Sequence, residues 1–172
     1  MTQLHNEIKI QRLGSRSALA CLSLAVRTFG IDSPQYRAIK FFNSQRRAGY
    51  IATIRNRAVG FVVYDNRSYE QAEVLAFAVE RSSRKQGIGR RLMERVTQLP
   101  RKVVTIRVIE TSLETQLFLR SQGFRAIKIE HTEPLNYYIF QKVMDSRTDA
   151  KHGVSFPNLQ HPQNHVQTNH QS

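Results

Sequence analysis

The run Arg84-Lys85-Gln86-Gly87-Ile88-Gly89-Arg90-Arg91 sets four cationic side chains around two glycines one residue apart. Placed where a strand ends and a helix begins, such a run makes an anion site. The first turn of a helix exposes unpaired backbone N–H groups at the positive end of its dipole. Glycine keeps the approach to those groups clear of side chains, and a flanking arginine adds forked donors. Arg84, Lys85, Arg90 and Arg91 are therefore candidates to hold a pyrophosphate and a further phosphate nearby. Two glycines by themselves leave another reading open, a glycine turn beside a solvated basic face. The spacing fits neither the P-loop nor the dinucleotide fingerprint, and no Gly-Lys-Ser/Thr is present to serve a nucleoside triphosphate and its magnesium.

The elements that would position this run lie on either side of it. Glu73 to Val79 is an almost continuous apolar segment, of the kind found in strands buried on both faces. Arg90 to Leu99 is amphipathic, with Leu92, Met93 and Val96 on one side, and Pro100 stops it. Val103 to Ile109 is a second apolar strand, so the order predicts a parallel pair joined by a right-handed crossover. A helix over Leu113 to Ser121 should end at Gly123, and Arg125 to Glu130 with Tyr137 to Val143 should close the sheet. Upstream, Glu7 to Gln11 reads as a first strand, and Ser15 to Thr28 as a helix burying Leu19, Leu22, Val26 and Phe29. Cys21 lies in that apolar run and reads as core filler rather than as a reactive thiol. Ser33 and Pro34 open a second helix as cap and first residue. Tyr50 to Ile54 and Ala58 to Tyr64 form a hairpin across Arg55-Asn56-Arg57.

In this setting Arg84-Lys85-Gln86-Gly87-Ile88-Gly89 resembles the Arg/Gln-x-x-Gly-x-Gly/Ala signature of the GNAT superfamily of N-acetyltransferases. The segment from Glu110 to Phe124 resembles the family's helix and its Gly-Phe turn, here Gly123-Phe124. Tyr138 with Phe140 and Gln141 resembles the last strand of the branch that acetylates protein N-termini, including the ribosomal-protein-alanine acetyltransferases. The resemblance spans roughly residues 7–143 and is strongest from 73 to 124. It implies a single α/β (α+β) domain over residues 1–144. That domain would have a mixed central sheet of about six to seven strands, helices on both faces and a splayed parallel pair at the cofactor site. It also implies acetyl-CoA as co-substrate. Backbone N–H groups from Gln86 to Gly89 would receive the pyrophosphate with Arg84 alongside, and Lys85, Ile88, Arg90 and Ser112 would line the same site. The pantetheine arm would enter the gap between the strands past Phe77, and a backbone N–H near Ala78 or Val79 would hold the thioester oxygen. Transfer would run directly to a primary amine, such as the N-terminus of a ribosomal protein, with no metal and no nucleophilic side chain.

The chemistry then needs a base for the amine, and an acid for the leaving thiolate would help. Where the family often has a tyrosine acid, four residues before the glycine of Gly-Phe, this chain has Leu119. Arg107 stands where the ribosomal-alanine branch has a glutamate base, and Ser112 where an asparagine is common. Glu73 matches the strand position of the glutamate base in the histone-acetylating branch. Burial would raise its pKa usefully, whereas a pair with Arg107 on the adjacent strand would lower both its pKa and its basicity. Tyr138 is the candidate acid, or else a packed tyrosine with its hydroxyl at the surface. A thiol of pKa about 8.5 also leaves unaided at modest cost. Glu110 is an outside candidate for the base, and His131, between the closing strands, reads as a solvent-facing loop residue. These departures leave a second reading, a GNAT-like module that binds CoA, nucleic acid or the ribosome without chemistry.

At 172 residues the chain has the size of one domain. Its 26 Lys+Arg against 13 Asp+Glu, a formal +13, predict an anionic partner without choosing among nucleic acid, ribosome, acidic protein and phosphorylated cofactor. No zinc-ligand spacing, RNP aromatic pattern or helix-turn-helix signature points to dedicated nucleic-acid binding. From Asp145 to Ser172 the composition turns to Asn, Gln, His, Ser and Pro, which reads as a disordered tail. The spacing of His152, His161, His165 and His170 there matches no compact metal site. The longest apolar run, Ala18 to Val26, is interrupted by Ser23 and is too short to cross a membrane. No secretory signal is visible at the N-terminus. The single Cys21 rules out an internal disulfide and fits a reducing compartment. The expectation is a cytoplasmic protein with no membrane or metal partner.

Overall fold

A computed structural model describes residues 7–40, 47–66 and 68–144. The tail expected from residue 145 onward lies outside the described residues. The elements run β1 (Ile8–Arg12), α1 (Ser15–Phe29), α2 (Pro34–Lys40), β2 (Arg47–Ile54), β3 (Arg57–Asp65), β4 (Gln71–Val79), α3 (Ile88–Thr97), β5 (Val103–Ile109), α4 (Leu113–Ser121), β6 (Arg125–Thr132) and β7 (Leu135–Val143). They build a sheet of seven strands in the order β1-β2-β3-β4-β5-β7-β6. Every neighbouring pair is antiparallel except β4 and β5, which run parallel and are joined through α3.

Local chemistry accounts for the connections. Arg55 and Asn56 both take left-handed backbone angles (φ 49° and 64°), so β2 and β3 meet in a two-residue turn whose twist matches that of the strands. The expected three-residue connection is thus shorter by one, because Arg57 already pairs with Ile54. The Ser33 hydroxyl accepts the Tyr36 N–H at 3.1 Å and caps α2 as expected. Gly123, at φ 84°, follows α4 in the left-handed conformation that ends a helix.

The sheet has a core on each face. On one, Leu92, Met93 and Val96 of α3 and Leu119 of α4 pack with Val62, Val74, Val104, Ile106, Phe124 and Phe140. On the other, α1 and α2 cover Ile51, Phe61, Val63, Ala76 and Ala78. The buried stripe of α1 differs from the one its spacing predicts. Leu19 is 76% exposed and Val26 39%, while Cys21, Leu24 and Ala25 are inside. This helix is apolar on more than one side, and packing against α2 and β3 selects the stripe that lies nearest.

The strand that matters most for the site is irregular. Val63 pairs with Ala76 and Tyr64 with Val74, so Leu75 is an extra residue in β4. Before it, Ala72 and Val74 face α3; after it, Ala76 and Ala78 face α1 and α2. Simple alternation puts Glu73, Leu75 and Phe77 on one face. The bulge instead turns Phe77 and Val79 towards the α3 core and leaves Glu73 and Leu75 on the other side.

Candidate functional site

Parallel pairing of β4 with β5 starts at Gln71–Val103 and ends at Val74–Ile106. Beyond that rung the two strands part, as a splayed pair should. From Leu75 to Val79 the β5-facing edge of β4 therefore has no strand partner, and its backbone groups are left over for a guest. A cleft of about 500 Å³ occupies this region. Phe77, Ala78 and Val79 form one wall of it.

The opposite wall is the start of α3 with the loop before it. Gly87 is left-handed (φ 76°) and precedes the first helical residue. The first helical bond runs from the Arg91 N–H to the Gly87 carbonyl (3.0 Å), so the N–H groups of Ile88, Gly89 and Arg90 have no helical acceptor. No side chain caps them, and the first turn contains no acidic residue. A Cβ at Gly87 would stand in open space, so the approach to the helix end is unobstructed. A Cβ at Gly89 would lie 3.3 Å from Phe77 and 3.4 Å from Phe118, which stack face to face with centroids 5.4 Å apart. Glycine at 89 is what lets this stack sit directly beneath the helix end.

Arg84 is already oriented. Its Nε donates to the Val79 carbonyl (3.2 Å) and its Nη1 to Glu114 Oε2 (2.7 Å), so it ties the end of β4 to the start of α4. Lys85, Gly87, Ile88, Gly89 and Arg90 line the cleft with it, as does Ser112 from the α4 side. Gln86 is exposed and outside the lining, and Arg91 faces a separate shallow pocket with Glu94 and Arg95. The residues present fit a diphosphate with a long slender arm. Free N–H groups and cations take the anion, and the aromatic floor and unpaired strand edge take the arm. Sequence spacing missed Phe118, Thr115 and Glu114, which bring α4 into the lining. The apolar step from Leu113 to Leu117 marks a helix there but not which side meets the cleft.

The candidate proton carriers lie on the two faces of the fork. Glu73 sits between Ala72 and Val74, hence on the face away from α3, and it is half-buried. It makes no hydrogen bond or ion pair among the described residues, and the pair with Arg107, one of its two alternatives in the sequence, does not form. Arg107 is drawn the other way, to Glu130 Oε2 (3.1 Å) and over the Tyr137 ring (4.6 Å). Tyr138 points into the α3 side, half-buried and edge-on to Phe140 at 6.4 Å. Leu119 is fully buried in the same core. Glu110 accepts the Asn136 amide (2.9 Å), and His131 Nδ1 lies 3.1 Å from Asn136 Oδ1. His131 stands in β6 opposite Asn136 rather than in a loop. Cys21 is wholly enclosed, and burial pushes its thiol up to about 12. Among the described residues no cluster of His, Cys, Asp and Glu could hold a metal ion, and no helix is long and apolar enough to cross a membrane.

A seven-stranded mixed sheet, forked at its parallel pair beside a glycine-led helix, defines the acetyltransferase fold class. Residues 45–126 match the family model described as acetyltransferase (GNAT) domain. No curated protein matches the chain in sequence. Among solved structures it is similar to Escherichia coli ribosomal-protein-S18-alanine N-acetyltransferase, with TM-score 0.70 and 16% identity over 83% of this chain and 98% of that one. It is similar to Arabidopsis thaliana NAA60 in complex with acetyl-CoA, with TM-score 0.69 and 14% identity over 80% and 99%. Thermoplasma volcanium Ard1 gives TM-score 0.65 and 18% identity over 79% and 97%. At such identities the likeness is one of fold.

Proposed function

We propose that this protein is an acetyl-CoA-dependent N-acetyltransferase that passes the acetyl group directly to a primary amine, with protein N-termini as the acceptor class. The observation that carries it is the uncapped, left-handed Gly87 start of α3 opening onto the fork between β4 and β5. The matched GNAT domain and the acetyl-CoA held by the Arabidopsis NAA60 structure support it. Acetyl-CoA supplies the activated acyl group. The N–H groups of Ile88, Gly89 and Arg90, with Arg84 and Lys85, hold its diphosphate. The free edge of β4 at Ala78 and Val79 offers N–H groups where negative charge develops on the acyl oxygen. Glu73 accepts the proton of the incoming amine from the α1–α2 face of the sheet. Tyr138 is the donor to the departing sulfur, from the α3 face.

Calorimetric titration with acetyl-CoA, and with ATP for comparison, tests the cofactor, and mass spectrometry of peptide acceptors tests the transfer. Saturable binding of acetyl-CoA but not of ATP, with acetylated peptide, is the expected result. Saturable binding without any acetylated acceptor would favour a CoA-binding module. Absence of binding would overturn the assignment of the loop.

A further inference from the structure

The face of the sheet that carries Glu73 has two halves. Over β3 and β4 it is covered by α1 and α2. Over β5, β7 and β6 Thr105, beside Glu73, is buried, and the other side chains are exposed or half-buried, Arg107 and Lys128 among the exposed ones. Arg107 is the first residue of β5 beyond the last rung shared with β4. Ile106 and Val108 turn into the α3 core, so Arg107 turns to the Glu73 face. Thr105 is the rung partner of Glu73, and Arg107 lies two residues farther along, roughly 6–7 Å at the usual strand rise.

The charge there is uneven. Glu130 Oε2 meets Arg107 at 3.1 Å, and its Oε1 meets Lys128 at 3.6 Å, so one carboxylate serves two cations. The cluster is left with a net positive charge. An arginine stays protonated at any working pH, and contact with Tyr137 and Glu130 holds its planar fork while leaving most of its five donors free. A fixed cation beside an amine-accepting base repels a protonated amine. An anion next to that amine on the acceptor turns this repulsion into an attraction.

Resting on the function proposed above, we infer that Arg107 is a specificity residue that selects acceptors with a carboxylate beside the reacting amine. An acidic second residue on a peptide N-terminus fits the span from Glu73 to Arg107. Glu73 takes the ammonium proton, and the Arg107 fork takes the carboxylate in a charge-assisted, two-point contact.

The test compares initial rates with acetyl-CoA for a peptide with glutamate at position two, the same peptide with lysine there, and free glutamate. Wild type is set beside Arg107→Glu and Arg107→Lys. The acidic peptide is expected to show a kcat/KM at least ~10-fold above the lysine peptide, mainly through KM. Arg107→Glu should invert that order and Arg107→Lys should retain part of it. Calorimetric binding of the acidic peptide to CoA-saturated protein should weaken in Arg107→Glu, with acetyl-CoA affinity unchanged as the check on folding. Arg107 dependence seen with free glutamate as well would assign the carboxylate to a small amino acid, and seen with peptide alone to a protein N-terminus; both outcomes uphold the inference. Equal efficiency on both peptides, unmoved by Arg107→Glu, overturns the inference and leaves the proposed function standing. No turnover on any acceptor overturns the proposed function and this inference together.

Discussion

Glu73 and Arg107 stand on the same sheet face without meeting, and the reason lies in their neighbours. Glu130 and Tyr137 draw the guanidinium towards β6 and β7, so Glu73 remains without a cationic partner among the described residues. A carboxylate bound to arginine loses basicity, so their separation is consistent with the base role proposed for Glu73. Glu73→Gln keeps the size and removes the proton acceptor. It is expected to lower kcat by about 10²–10⁴ with acetyl-CoA affinity unchanged, as read by steady-state rates beside calorimetry. An unchanged kcat would move the base to another group, with Glu110 next in line. Tyr138 differs in kind, since it packs edge-on to Phe140 and a hydroxyl there could serve either packing or proton transfer. Tyr138→Phe preserves the packing. A loss of kcat that shrinks as pH rises past the thiol pKa of about 8.5, where the thiolate leaves without a proton, would assign it to transfer, whereas unchanged kinetics would assign it to packing.

At the scale of elements, the loop from β4 into α3 carries the site, and its glycines act in different ways. Gly87 must be left-handed, a conformation that costs an ordinary L-residue about 1–2 kcal/mol. Gly87→Val should therefore lower the melting temperature, and its side chain would also stand in the approach to the helix end. Gly87→Asn separates the two effects, because asparagine tolerates the left-handed region. Its melting temperature should recover most of the loss, while acetyl-CoA binding by calorimetry stays weakened at least several-fold. Equal affinity in Gly87→Asn and wild type would mean that the anion approaches elsewhere. Much of this element was legible in the sequence, because Gly87, Gly89 and the cations are local signals and the flanking strands are short apolar runs with clear ends. β5 and α4 fall at the expected residues for the same reason, their ends being marked by Pro100 and Gly123. The α1 stripe was not legible, since Leu19 and Val26 are as apolar as Leu24 and only the position of α2 decides between them. Nor was the extra residue at Leu75, which depends on the register with β3 and turns Phe77 towards α3. The partner of Arg107 comes from a strand more than twenty residues later, and no spacing rule reaches that far.

Across the whole molecule, each of the two cores holds one group that keeps its proton through burial. Cys21, in the core under α1 and α2, has its thiol raised from 9.0 to about 12. Tyr64, in the α3 core, is raised from 10.0 to about 12, chiefly by burial and then by the charge and hydrogen bond of Tyr50, against opposing pulls from Arg12 and Arg101. In both cases the folded state holds a proton that the unfolded chain gives up at lower pH. The resulting contribution is fully present below about pH 9 and is lost as pH rises through the interval up to about 12. The formal +13 acts in the opposite sense, because lysine deprotonation at high pH relieves self-repulsion. The two can be separated by salt, which screens the repulsion between exposed charges and hardly reaches the enclosed groups. Denaturant midpoints measured at pH 8 and pH 10.5 in high salt should therefore fall at the higher pH. Tyr64→Phe should reduce that fall, since it removes the titrating hydroxyl and keeps the ring, and adding Cys21→Ala should reduce it further from a lower starting stability. An alkaline loss equally steep in the double variant would place its origin outside the two cores, among the exposed ion pairs.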